Sequence, residues 1–245
     1  MRGLRAAYLA AAAVTVFGAV TGRDRLQWVA KPLLMPLLAA DAVTSGVELD
    51  PAERGLLLGS LAAATVGDVL LLNPDDDRRL IAGASSFAVM QTGYSLLWWK
   101  RGARPRPEIA LPRVVAWVGA AGLLRAKAPN LVLPLTAYGA TLGTAATLAS
   151  DPALAPDAKN IAGLNIPNGD PRSRYGAGAL LFTISDALIV VRRLFARDDR
   201  TRRVTEGVIL ATYAAAQYLL TEPPQHRDPD FAGTRVTHRV RANST

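Results

Sequence analysis

Cysteine is absent from this 245-residue chain. That excludes disulfides, thiolate nucleophiles, zinc–thiolate sites and iron–sulfur clusters. Histidine is nearly absent: His226 and His238 both lie beyond the last apolar segment. A histidine-based triad or a multi-histidine metal centre within the apolar body is therefore unavailable. Aromatic residues make up only 6%, and no basic face interleaved with aromatics is visible, which argues against nucleic acid as a partner. No GxSxG elbow, Walker A loop or strand-linked GxGxxG occurs. Charge is absent in long runs, from Ala6 to Gly22, Leu80 to Trp99 and Ala128 to Ser150. Such stretches are long enough to cross a hydrocarbon core of roughly 30 Å as helices.

What is present agrees with that last absence. Half the residues are apolar, and 28 Lys and Arg outnumber 20 Asp and Glu. Mean hydropathy is only +0.18 because the charges cluster between apolar segments. Arg at helix ends near anionic headgroups accounts for the basic excess. The expected fold class is all-α, an integral membrane bundle of about eight transmembrane helices. The segments are Leu4–Thr21, Leu26–Ser45, Arg54–Asn73, Arg79–Trp99, Leu111–Leu124, Asn130–Ser150, Tyr175–Arg193 and Arg203–Leu220. The fifth is short, with Arg113 and Arg125 reaching toward the interfaces. Arg2 and Arg5 precede the first run as in a signal peptide, but further apolar segments follow, so it reads as a retained helix. Short connections predict that sequential helices pack as antiparallel neighbours. Trp28, Trp98 and Trp99 fall near helix ends, the headgroup level that amphipathic rings favour.

The organisation is one eight-helix transmembrane domain over 1–221 and a disordered polar C-terminal tail over 222–245. A long polar loop, 151–174, carries four prolines and could cover one mouth of the bundle. The expected location is the cell membrane, multi-pass, with the bilayer as partner. Lys and Arg are nearly balanced between the two sides, and their small excess puts both termini in the cytoplasm.

An ionisable side chain in mid-membrane costs about 2.5–3.5 kcal/mol or more. Four positions raise that question: Lys31 and Asp41 on the second helix, Asp68 on the third and Asp186 on the seventh. Asp41 lies near a helix end, where headgroups or a hydrogen bond would solvate it. Lys31 precedes Pro32, whose missing N–H predicts a kink. Gly67 adjoins Asp68, and Gly178 lies two turns before Asp186 on the same face. Small residues let helices approach, so both carboxylates are expected to face the bundle interior. Three explanations fit: an ion pair with Lys31 that only holds helices together, paired carboxylates for acid–base chemistry, or an ion or proton path. Gln91, Tyr94, Tyr138, Tyr213 and Gln217 supply uncharged polar groups on several helices, Tyr213 and Gln217 at i, i+4 spacing. They either hydrogen-bond between helices or line a pocket for a lipid headgroup.

At these residues the sequence resembles the YhhN-like lysoplasmalogenases, multi-helix membrane hydrolases. The matching pieces are AKPLLMPLL around Lys31-Pro32, GDVLLL at Gly67-Asp68, GALLFTISDALIV around Asp186, and TYAAAQYLL near the end. The resemblance implies an eight-helix bundle that cleaves the vinyl ether bond of a lysophospholipid substrate. The products would be a fatty aldehyde and glycerophospho-ethanolamine or glycerophospho-choline. Such hydrolysis needs a proton delivered to carbon, then water at the oxocarbenium ion, and requires neither metal nor cofactor. Asp68 and Asp186 are the expected catalytic pair. Lys31 would tune a carboxylate or meet the phosphate, with Gln91, Tyr94, Tyr138, Tyr213 and Gln217 as substrate-binding candidates. The family pattern carries a His about where this chain has Gln91 in SFAVMQTGY; Gln hydrogen-bonds but does not titrate. A transporter using the same buried Asp residues and a scaffold with fully paired charges are the other classes. A single pocket shared by both carboxylates would mark the enzyme.

Overall fold

A computed structural model describes residues 2–46, 49–161 and 164–222. The tail expected to be disordered lies outside the described residues from 223 onward, and so do both histidines. The described chain is helical apart from a two-residue hairpin, Asn160–Ile161 paired antiparallel with Leu164–Asn165.

The helices are α1 (Arg2–Thr21), α2 (Asp24–Ala30), α3 (Leu34–Thr44), α4 (Pro51–Leu70), α5 (Asp77–Lys100), α6 (Pro107–Lys127), α7 (Val132–Ala149), α8 (Tyr175–Phe195) and α9 (Asp199–Leu220). Counting α2 and α3 as one interrupted helix, they overlap the eight expected segments. The interruption is a 3₁₀ turn, Lys31–Leu33. Pro32 cannot donate to the carbonyl four residues back, so the helix tightens there. Three stretches are long and apolar enough to cross a membrane: Gly3–Thr21, Pro107–Lys127 and Pro129–Ala149. The fifth segment is therefore longer than expected. Arg113 is absorbed into it by donating to the Ile109 carbonyl (2.6 Å) and to Ser150 Oγ (2.9 Å).

The packing closes a ring. Going round it, α1 meets α3, then α4, α5, α7, α8, α9 and α1 again. Helix α6 stands outside, against α7, so α5 and α7 pack directly and run in the same direction. The expectation that sequential helices are neighbours fails at this point. Within α6 only Ile109 and Leu124 are fully buried.

Close contacts lock particular pairs. A Cβ on Gly178 would meet the Ala216 carbonyl oxygen at 3.1 Å, so glycine permits the α8–α9 approach. Arg5 Nε donates to Asp41 Oδ2 (2.7 Å), and the same guanidinium reaches the Tyr218 (3.2 Å) and Thr221 (3.0 Å) carbonyls. Asp41 is thus neutralised by an ion pair from α1, which joins three helices at the end bearing the N-terminus. Trp98 is buried against Tyr94 and Tyr175, in the core rather than at an interface. Trp28 and Trp99 are exposed.

The loop from 151 to 174 sits at that same end. Asp151 is fully buried and accepts from the Arg104 N–H, the Ala153 N–H (3.0 Å) and Arg106 Nε (2.8 Å).

Candidate active site

At the opposite end of the ring the interior opens into a small, partly open cavity. Asp68 and Asp186 both line it, together with Lys31 and Tyr213. Each of these arrives from a different part of the ring. Asp68 lies in the last turn of α4. Lys31 comes from the 3₁₀ break, Asp186 from the second half of α8 and Tyr213 from the middle of α9.

Both carboxylates accept a hydrogen bond from a tyrosine. Tyr213 Oη donates to Asp68 Oδ2 at 2.9 Å, and Tyr138 Oη donates to Asp186 Oδ2. Asp68 is buried, whereas Asp186 is half-buried on the cavity wall. Lys31 is buried as well, and its Nζ donates to the Leu71 carbonyl (3.1 Å). Among the described residues it forms no ion pair, although Asp68 lies within its electrostatic reach. The ion pair that would make these charges mere helix clamps is not formed.

Aromatic rings seat the polar groups. Phe87, Phe182 and Tyr213 meet edge-to-face in a triangle with centroids 5.6–6.0 Å apart. Gly67 makes room for this cluster: a Cβ there would lie 2.7 Å from the Phe87 ring. The glycine beside Asp68 thus serves the ring that holds Tyr213 in place.

The remaining candidates separate into two groups. Gln91 is buried beside the Tyr138 hydroxyl, behind Asp186, and its Nε2 finds no hydrogen-bond partner. Tyr94 and Gln217 are brought together away from the cavity. Tyr94 Oη donates to Gln217 Oε1 at 3.0 Å, and Gln217 Nε2 meets Met90 Sδ at 3.1 Å.

Residues that the sequence reading did not single out also line the site. Arg192 and Glu206 form an ion pair (3.1 Å) across α8 and α9. Ser185 Oγ donates to the Ile209 carbonyl (2.9 Å), tying the same two helices beside Asp186. Arg192 stands near the end of α8 and Glu206 in the first half of α9. Only the antiparallel packing of those helices joins them.

A second, smaller cavity lies at the end bearing the N-terminus, between Leu57, Leu97, Arg101, Tyr175 and Leu220. The two cavities share no lining residue. Leu61, Ala64, Met90, Tyr94 and Gln217 are buried on the stretches of α4, α5 and α9 that separate them. No described residue of the 151–174 loop lines the carboxylate cavity.

An all-helical protein with three membrane-length apolar helices and a pocket lined by two carboxylates within the bundle belongs among membrane-type helical bundles. More particularly, the chain belongs to the YhhN family, whose sequence model matches residues 26–223. No curated protein and no solved structure matches it.

Proposed function

We propose that this protein is a membrane hydrolase that cleaves the vinyl ether bond of lysoplasmalogens, using Asp68 and Asp186 as its acid–base pair. All eight helical segments cross the bilayer in this reading, and both termini are cytoplasmic. Family membership supports the class of reaction. The observation that carries the proposal is the single cavity lined by both carboxylates and closed toward the other end of the bundle.

The reaction needs two carboxyl groups in different roles. One, as the acid, gives its proton to the β-carbon of the vinyl ether. The α-carbon then shares positive charge with the ether oxygen. The other group, as carboxylate, stabilises that cation and takes a proton from the water that attacks it. The resulting hemiacetal collapses to the aldehyde and the glycerol hydroxyl, and the proton taken from water passes from the second carboxyl to the first to restore the acid. Tyr138 and Tyr213 orient the two carboxyls, and Lys31 supplies positive charge beside Asp68. No thiol, imidazole or serine nucleophile is required.

A carrier would need a polar path reaching both faces. The buried layer between the two cavities speaks against one.

Aldehyde release from a vinyl-ether lysophospholipid by the purified protein in detergent tests the proposal. Asp68→Asn and Asp186→Asn should each abolish release while retaining the fold. Absence of release by well-folded wild type would remove the assigned substrate.

A further inference from the structure

The mouth of the carboxylate cavity is lined by two opposite charges that the hydrolytic step does not use. Arg192 and Glu206 face each other across α8 and α9, with side chains only 11% and 14% exposed. Arg192 Nη1 also meets Asp75 (3.0 Å), and Gln27 Nε2 reaches Glu206 Oε1 at 3.5 Å. The pair is imperfect. Arg192 Nε lies 3.1 Å from Glu206 Oε2, yet its N–H is not aimed at an acceptor and counts as a buried unsatisfied donor. Clamping the end of the helices does not depend on this contact, since Arg193 pairs with Asp77 and Arg202 with Asp75 at the same end.

Their height above the carboxylates is informative. Arg192 lies six residues beyond Asp186 on α8, roughly 9 Å along the axis. Glu206 lies seven residues before Tyr213 on the antiparallel α9, roughly 10 Å. That interval is about the reach of an extended glycerol-phosphate unit from a vinyl ether held at the carboxylates.

We propose that Arg192 and Glu206 form a headgroup subsite for a zwitterionic lysophospholipid, Arg192 taking the phosphate and Glu206 the ammonium. The inference rests on the hydrolase reading above and assigns the headgroup of that substrate to two residues of the same site. An arginine fork suits phosphate oxygens. A zwitterion exchanges partners without leaving a charge unpaired: each internal partner is replaced by one of the same sign. A lipid ending in bare phosphate would occupy Arg192 and strand the Glu206 carboxylate in a poorly solvated mouth, which is costly. The subsite therefore selects by repulsion as well as by attraction.

The test compares kcat/KM of the full-length protein for 1-alkenyl lysophospholipids bearing phosphoethanolamine or phosphate alone. Wild type should favour the zwitterion at least about tenfold, and Glu206→Gln should erase most of that ratio. Arg192→Gln should lower kcat/KM on both lipids. Arg192→Lys keeps a cation beside Glu206 and Asp75, so it should fold and retain the preference. A wild-type ratio near one, or a ratio unmoved by Glu206→Gln, overturns the subsite and leaves the hydrolase standing. If wild type cleaves no vinyl ether, binding of the saturated ether analogues with the same two heads decides. Discrimination that Glu206→Gln removes upholds the subsite without the reaction, and equal binding overturns it.

Discussion

Asp68 and Asp186 differ in what surrounds them more than in what they are. Each takes a hydroxyl hydrogen bond from a tyrosine on another helix, Asp68 across the ring from α9 and Asp186 from adjacent α7, but only Asp68 lies within reach of the Lys31 charge. Tyr213 is the more exacting partner, because its ring also completes the triangle with Phe87 and Phe182. Tyr213→Phe keeps the ring and removes only the donor. A hydrogen bond to a charged group is worth about 1.5–3 kcal/mol, so aldehyde release should fall about 10- to 100-fold. The melting temperature in detergent should move little if the triangle is intact. A loss of fold together with activity would instead place Tyr213 among the packing residues. Gln91 marks a different situation. A buried amide with an unmet Nε2 stands behind the Tyr138–Asp186 contact. Gln91 is on α5 and the Tyr138 hydroxyl comes from α7, remote in sequence.

Among the elements, the connection from α7 to α8 behaves as a built cap. Asp151 terminates α7 and caps the 3₁₀ turn Pro152–Leu154, while it binds the α5–α6 connection through Arg104 and Arg106. Burial alone would raise its carboxyl pKa. The Ala153 and Arg104 backbone N–H groups and the Arg106 guanidinium outweigh burial and hold it below its ordinary 3.8. A carboxyl depressed in the folded state contributes stability that is complete above the unfolded value and disappears as pH falls through the folded one. Asp151→Asn should therefore cost about 1–3 kcal/mol near neutrality. That deficit should narrow as the buffer is taken below pH 3.8, read by thermal melts across pH. A deficit that stays constant with pH would assign the loss to packing alone. The Arg106 share is the smaller part, because that side chain is 45% exposed and screened by water.

Over the whole molecule, the ring puts its connections at two ends. Arg5 on α1 touches the carbonyls that end α9, so the N-terminus and the end of α9 lie together. The 151–174 loop joins them there, through Asp151 and through the Arg174–Glu222 ion pair (2.7 Å). Asp75, Asp77, Arg192, Arg193 and Arg202 gather at the other end, around the cavity mouth. Topology reporters fused after Glu222 and inserted near Ala158 should read the same side of the membrane. A reporter near Arg197 should read the opposite side. A matching signal from all three would break the proposed eight crossings.

Much of this was legible along the chain because it depends on local composition. Charge-free runs, the Lys31-Pro32 break and glycines beside Asp68 and before Asp186 follow from hydrophobic length and backbone sterics, which need no partner helix. The identity of the two carboxylates was legible for the same reason, since a charge within an apolar helix stands out against its neighbours. The ring decided what lies beside them. Tyr94 and Gln217 read either as interhelical hydrogen-bond partners or as pocket lining, and the fold brings them against each other, because periodicity locates a face without saying what meets it. Arg192 and Glu206 look like ordinary helix-end charges until α8 and α9 pack antiparallel and bring them to one mouth. The displacement of α6, which sets α5 directly against α7, likewise follows from competition among helix faces. Composition determined that this chain would build apolar helices carrying acids within them. Tertiary packing alone determined that the acids share a cavity, because distances between helices are set by side chains far apart in sequence.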